Sequence, residues 1–168
     1  MNILSSKNIV LGITGSIAAY KAADIASKLK KEGCNTKIVM TRSAESFITK
    51  TTLECLSPNP VLVDGNDADP VTNFAHLDLA KWTDMILIAP CTANFMNKLA
   101  NGHGDDLLST ICLACTKDIF IAPAMNPNMW ENKITQNNLK KLHSANIKIL
   151  GPGYGEHACG DTGYGKML

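Results

Sequence analysis

Residues 9–41 read IVLGITGSIAAYKAADIASKLKKEGCNTKIVMT, and the changes of rhythm inside that stretch decide the fold. Residues 9–14 form an apolar run of strand length, closed by Gly15-Ser16. From 16 to about 32 the spacing predicts a helix, with Ala18, Ala22, Ile25, Ala26 and Leu29 on one face. Gly33 falls where a helix ends in a left-handed residue. Residues 37–41 are then a second strand. Strand, covering helix and second strand in succession describe two parallel neighbours joined by a crossover.

The same alternation continues outward. Strand-like apolar runs stand at 61–63, 85–89, 119–122 and 147–150. Helical patterns occupy 43–50, 77–83, 92–101 and 134–145, and Gly102 stops the third of these. Asp105 and Asp106 suit the N-terminus of a further helix running to about 115. Thr51-x-x-Glu54 has the form of a capping box for another. Residues 65–74, GNDADPVTNF, read as a polar loop, and the last 18 residues, with six glycines, also read as loop. Apolar strands separated by helices imply a parallel sheet covered on both faces. The expected fold is α/β, a doubly wound parallel sheet of Rossmann or flavodoxin type, as one domain over residues 1–168 with a glycine-rich covering loop from about 151.

Composition narrows the function. The 168 residues are 45% hydrophobic and 18% charged, with net charge +1. That balance has no electrostatic footprint for nucleic acid or an anionic membrane surface. No apolar run approaches the roughly 20 residues of a membrane span, and MNILSSKNIV lacks the form of a signal peptide. The six cysteines, at 34, 55, 91, 112, 115 and 159, are scattered through mostly apolar surroundings. Reduced thiols in a cytoplasmic protein are expected rather than a disulfide framework. Cys112-x-x-Cys115 lies in an apolar helical segment with no second such pair, so it reads as core packing. The spacing of His103, His143 and His157 predicts no metal site.

Ligands of such sheets sit at the carboxyl ends of the strands. After the first strand, Gly15 permits close backbone approach, and Ser16 adds a hydroxyl at a helix N-terminus suited to phosphate. An ordinary tight turn explains the glycine equally well. The stretch is not G-x-G-x-x-G, and Thr41-Arg42-Ser43 stands where a dinucleotide site places an acidic residue. After the fourth strand comes Pro90-Cys91-Thr92-Ala93-Asn94, again a hydroxyl and an amide opening a helix. After the fifth comes PAMNPNMW (123–130), where methionines and a tryptophan bracket two asparagines between prolines. Small neutral hydrogen-bonding groups beside soft apolar surface suit a flat, uncharged ring carrying one phosphate, and FMN fits that description. His76, in NFAHLDL, is a candidate catalytic base or a structural histidine. Cys159, in a glycine-rich loop rather than an apolar run, is a candidate proton donor or an incidental surface thiol.

In combination these stretches are specific. GITGSIAAYK (12–21), PCTAN (90–94), GDDLL (104–108), PAMNPNMW and ACGDTGYGKM (158–167) together resemble the flavin-containing cysteine decarboxylases, in order and from residue 8 to the end. The resemblance implies a homotrimer, or trimers gathered into a dodecamer, with FMN between subunits. It places the family's active-site histidine on His76, its substrate-carboxylate asparagine on Asn126 and its proton-donating cysteine on Cys159. Met129 and Ala158 would line the substrate pocket. Flavin contacts fall on Gly15, Ser16, Ile17, Thr41, Ser43, Cys91, Thr92, Ala93, Asn94 and Ala124.

The implied reaction is FMN-dependent decarboxylation of 4′-phospho-N-pantothenoylcysteine in coenzyme A biosynthesis. Hydride abstraction from the cysteine β-carbon gives a thioaldehyde, whose C=S accepts the electrons released with CO₂. Re-reduction with a proton from Cys159 then yields the saturated thiol, 4′-phosphopantetheine. A carboxylate-binding amide suits the chemistry better than a lysine, which would stabilise the ground-state carboxylate. Two positions depart from the family's pattern: Phe95 replaces a hydroxyl, and Lys166 replaces an arginine, exchanging a bidentate cation for a point charge. Rival readings are a peptidyl-cysteine decarboxylase releasing an enethiol, a flavin prenyltransferase and a flavin-binding phosphatase-regulatory relative. Many bacterial relatives continue into a second domain that makes the substrate, and the resemblance covers the decarboxylase part alone.

Overall fold

The structure is a computed structural model that describes residues 3–65 and 75–168. Most of the expected polar loop, residues 66–74, lies outside the described residues. β1 (Asn8–Ile13), β2 (Asn35–Met40), β3 (Leu62–Val63), β4 (Met85–Cys91), β5 (Asp118–Pro123) and β6 (Lys148–Ile149) form one sheet in the order β3-β2-β1-β4-β5-β6. Every pairing in it is parallel. The chain therefore winds outward from β1 in one direction, returns, and winds outward from β4 in the other. The doubly wound architecture expected from the sequence is the one observed.

Side chains of consecutive strand residues point to opposite faces, and the core divides accordingly. Val10, Val39, Ile86, Ile88 and Ile121 lie in one cluster, together with Phe95, Met96, Leu108 and Ile111. The last four belong to α4 (Ala93–Asn101) and α5 (Leu107–Ala114). Leu11, Ile13, Ile38 and Met40 lie in the other cluster, with Ala22 and Ala26 of α1 (Lys21–Lys31) and Leu53 of α2 (Lys50–Leu56). α3 (Ala75–Trp82) and α7 (Lys133–Ser144) share the first face. Continuous apolar strands result because both faces are covered. Among the described residues no helix is long and apolar enough to cross a membrane.

Several boundaries moved. The helix expected from residue 16 begins as a 3-10 turn, Ile17–Tyr20, because the Ser16 hydroxyl accepts from the Ala18 N–H and tightens the start. Gly33 and Gly102 do adopt the left-handed conformation, at φ 79° and 68°. Asp106 caps α5 through the Ser109 N–H at 2.7 Å. The capping box read at Thr51 is not formed. Thr49 caps α2 instead, accepting from the Thr52 N–H at 3.2 Å, which places Thr51 inside the helix. The helix read over 43–50 is only a 3-10 turn, Arg42–Ser46.

The larger correction is at the C-terminus. The glycine-rich segment read as loop forms an antiparallel hairpin, β7 (Gly153–Glu156) and β8 (Thr162–Lys166). Tyr154 and Tyr164 meet edge to face at 5.2 Å between ring centroids and brace it. Gly163 and Gly165 serve contact rather than flexibility. A Cβ at Gly163 would lie 2.8 Å from Pro127 in α6 (Pro127–Glu131). At Gly165, with φ of 129°, it would strike the Met125 carbonyl. Glycine composition therefore marks a strand pressed against its neighbour, a case that resembles a loop in sequence.

Candidate active site

The crevice of a doubly wound sheet opens where the winding reverses, between β1 and β4. Thr14 closes that gap, although it was not singled out in the sequence. Its buried hydroxyl donates to the Pro90 carbonyl at 2.8 Å and accepts from the Thr92 N–H at 3.1 Å. The loops after the two strands are thus fixed to each other. Gly15 is required because a Cβ there would lie 2.6 Å from the Ser43 hydroxyl. That close approach brings the loop after β1 onto the loop after β2.

A notch of about 200 Å³ results, lined by the hydroxyls of Thr14, Thr41, Ser43 and Thr92, by the Asn94 amide, by Arg42 and Lys98, and by the carboxylates of Asp64, Asp105 and Asp106. Thr41 and Ser43 share a 3.1 Å hydrogen bond. Thr92 also caps α4, accepting from the Phe95 N–H. The Lys98 Nζ bonds Asp105 at 2.9 Å and Asp106 at 2.6 Å. Burial alone would lower the Lys98 pKa, but the two carboxylates outweigh it and hold the ammonium above its ordinary value. The hydrogen bond from Lys98 in turn holds Asp105 below the usual carboxylate range.

A second cavity, about 360 Å³, lies where PAMNPNMW meets the hairpin. Ser16, Ile17, Ala124, Asn126, Ala158 and Cys159 line it. The register is set by backbone bonds: the Ala124 N–H donates to Cys91, and the Met125 N–H donates to Gly165 in β8, both at 3.0 Å. Asn126 is the N-cap of α6, and its Oδ1 accepts from the Asn128 N–H at 2.8 Å. That bond settles the amide's orientation, since an amide oxygen used as a cap leaves only the NH₂ facing outward. The Nδ2 donates to Asp161 at 2.7 Å and toward the Cys159 sulfur at 3.5 Å. Cys159 lies 3.4 Å from the same Asp161 oxygen.

The expected site residues therefore divide. Thr41, Ser43, Thr92 and Asn94 line the notch, and Ser16, Ile17, Ala124, Asn126, Ala158 and Cys159 line the larger cavity. Gly15 lies at the seam between the loops. Cys91 and Ala93 line neither. The Cys91 side chain is fully buried, and burial pushes its thiol well above the ordinary range. Met129 is 49% exposed and His76 is half-buried on α3, and neither lines either cavity. The residues missed were Thr14, Lys98 and Asp161. Lys98 stands four residues after Asn94, one helical turn on, a spacing that carried a usable signal; Asp161, two after Cys159, reads as turn chemistry in the sequence.

The other thiols are inert or remote. Cys112 is buried in the core cluster, as expected, and burial drives its pKa far up; Cys115 is half-buried beside it. Cys34 is buried too, whereas Cys55 is exposed on α2. Among the described residues no group of three or more His, Cys, Asp or Glu side chains could hold a metal ion.

An α/β chain that gathers hydroxyls at its sheet's reversal point, with an outward-facing amide and an exposed thiol in a second cavity, has the build of a small-molecule-binding protein of the doubly wound class. The Flavoprotein family model matches residues 2–168, and the chain belongs to that family. It is 44% identical over 168 residues to the coenzyme A biosynthesis bifunctional protein CoaBC of Vibrio vulnificus, covering 100% of the chain and 42% of the relative. The chain thus spans about two fifths of the length of the curated relatives it matches. A mutant PPC decarboxylase complexed with pantothenoylaminoethenethiol superposes with a TM-score of 0.82 at 32% identity, covering 97% of this chain and 91% of that one. The FMN-dependent cysteine decarboxylase SpaF superposes with a TM-score of 0.84 at 28% identity, with the same coverage of both chains. The family resemblance read from the sequence is borne out.

Proposed function

We propose that this chain carries out FMN-dependent decarboxylation of 4′-phospho-N-pantothenoylcysteine to 4′-phosphopantetheine in coenzyme A biosynthesis. The observation that carries the proposal is Asn126: its oxygen caps α6 and its NH₂ faces a cavity shared with Cys159. A neutral donor pair binds a carboxylate without the strong ground-state hold of a cation, and a thiol beside it can return a proton.

The residues present fit FMN. The notch offers four hydroxyls and an amide for a ribityl chain and phosphate, with Gly15 letting the backbone approach closely. Thr41, Ser43, Thr92 and Asn94 would hold that end, and Ser16, Ile17 and Ala124 the ring side. Bound FMN would supply reversible two-electron oxidation of the cysteine side chain, so that the electron pair left behind by departing CO₂ could pass into a C=S bond. Asn126 orients the carboxylate, Ala158 borders the substrate, and Cys159 delivers a proton to the product carbon; Met129, outside the cavity of its own chain, would reach the substrate only across a subunit contact.

His76 is the proposed base in the oxidation step. Because it lines neither cavity of its own chain, the proposal includes a homotrimer, or trimers assembled into a dodecamer, in which one subunit's His76 completes a neighbour's site. Ile17 and Tyr20, each 63% exposed at the edge of the larger cavity, are apolar surface suited to such a contact. All six cysteines are free thiols, which suits a cytoplasmic setting. The test is direct. Purified protein should absorb as a flavoprotein and convert phosphopantothenoylcysteine to a saturated thiol with loss of CO₂. An enethiol product would favour the peptidyl-cysteine type of reaction, and failure to take up FMN would remove the basis of the site.

A further inference from the structure

The 157–161 turn presents a carboxylate where the proposed substrate presents one. Asn126 has two N–H donors, and both are committed in this structure, one to Asp161 at 2.7 Å and one toward the Cys159 sulfur at 3.5 Å. Its oxygen is fixed as the α6 cap, so the amide has no spare donor. The Cys159 S–H is directed at the same Asp161 oxygen, 3.4 Å away. Of the two lysines lining the cavity, Lys21 is held by the Met167 carbonyl at 2.6 Å, and Lys166 is exposed on β8. A second carboxylate arriving at Asn126 therefore meets an occupied donor and a like charge.

We propose that Asp161 is a positioning residue that occupies the substrate-carboxylate place on Asn126 and is exchanged for that carboxylate on binding. The exchange rests on the reading of Asn126 given above. It ties two events together: the carboxylate takes the amide, and the Cys159 S–H, no longer directed at Asp161, becomes available to the substrate. Asp161 and Cys159 are exposed and lie in a turn closed by the His157 N–H to the Asp161 carbonyl, so the turn can shift as a unit without opening the core. Ligands lacking a carboxylate leave the turn where it is.

The test uses FMN-loaded protein and two unreactive ligands titrated calorimetrically. One is 4′-phospho-N-pantothenoylserine, which keeps the carboxylate. The other is its ethanolamine counterpart, which lacks it. Asp161→Asn and Asp161→Ala should each bind the serine compound about tenfold more tightly than the parent, because the competing charge-assisted bond is gone. Affinity for the ethanolamine compound should stay unchanged. Equal shifts for both ligands, or none for the serine compound, would overturn the exchange while leaving the substrate assignment standing. A parent protein that binds neither ligand would overturn both.

Discussion

Asn126 and Cys159 show how much one side chain's partners decide. Because the Asn126 oxygen caps α6, Asn126→Asp keeps a capping acceptor and should leave folding intact. It turns the cavity-facing group from donor to acceptor, and substrate affinity should fall by about 30- to 100-fold with FMN uptake unchanged. Titration of both ligands checks this, and wild-type affinity would assign the amide another role. Cys159→Ser should still release CO₂ but accumulate a product lighter by two hydrogens, seen by mass spectrometry. Normal yield of the saturated thiol would remove Cys159 from the donor role. Sequence marked both residues through their motifs. It did not mark Asp161, since a carboxylate in a Gly-Asp turn reads as turn chemistry until the fold sets it against the amide.

At the scale of elements, the hairpin carries the most information. Its glycines permit β8 to lie against Met125 and Pro127, and the backbone bond from Met125 to Gly165 holds Cys159 near Asn126. Gly165→Ala forces a Cβ onto the Met125 carbonyl at an unfavourable φ. The variant should bind FMN through the notch yet lose most decarboxylation, measured as CO₂ release against flavin titration. Unimpaired turnover would mean that the hairpin's register is irrelevant to chemistry. Glycine content alone suggested a loop, because the reason for Gly163 and Gly165 is a neighbour distant in sequence. The capping box at Thr51 failed on similar grounds: Thr49 offers the same hydroxyl two residues earlier and starts the helix there.

For the whole molecule, the charged cluster lining the notch and the assembly are the features to test. Asp105 has its folded pKa lowered, so its contribution to stability is present above its unfolded value and lost in strong acid. Lys98 has its folded pKa raised, so its contribution is complete below its unfolded value and lost in strong base. Lys98→Met leaves Asp106 buried without its cation. The drop in thermal midpoint should therefore be constant between about pH 5 and 9 and shrink outside that window. A drop varying steeply near neutrality would point to another titrating group. Assembly is tested by mixing. Oligomers formed from His76→Asn and Asn126→Asp chains, each impaired alone at low substrate, should regain part of the activity when co-refolded. No recovery would place both residues in one subunit's site.

The sequence by itself determined the layered α/β fold, the six strands of the parallel sheet in their chain order, and the family. Those follow from periodicity and from motifs that are local, and local signals survive in a linear text. It also marked Gly15, Asn126 and Cys159 as residues of interest. Only the tertiary structure decided that Thr14 ties β1 to β4, that Cys91 faces the core, and that His76 lies away from its own chain's cavities. It alone set Asp161 against Asn126. The physical reason is the same in each case: what a donor, thiol or glycine does depends on the partner it meets, and these partners come from segments that only folding brings together.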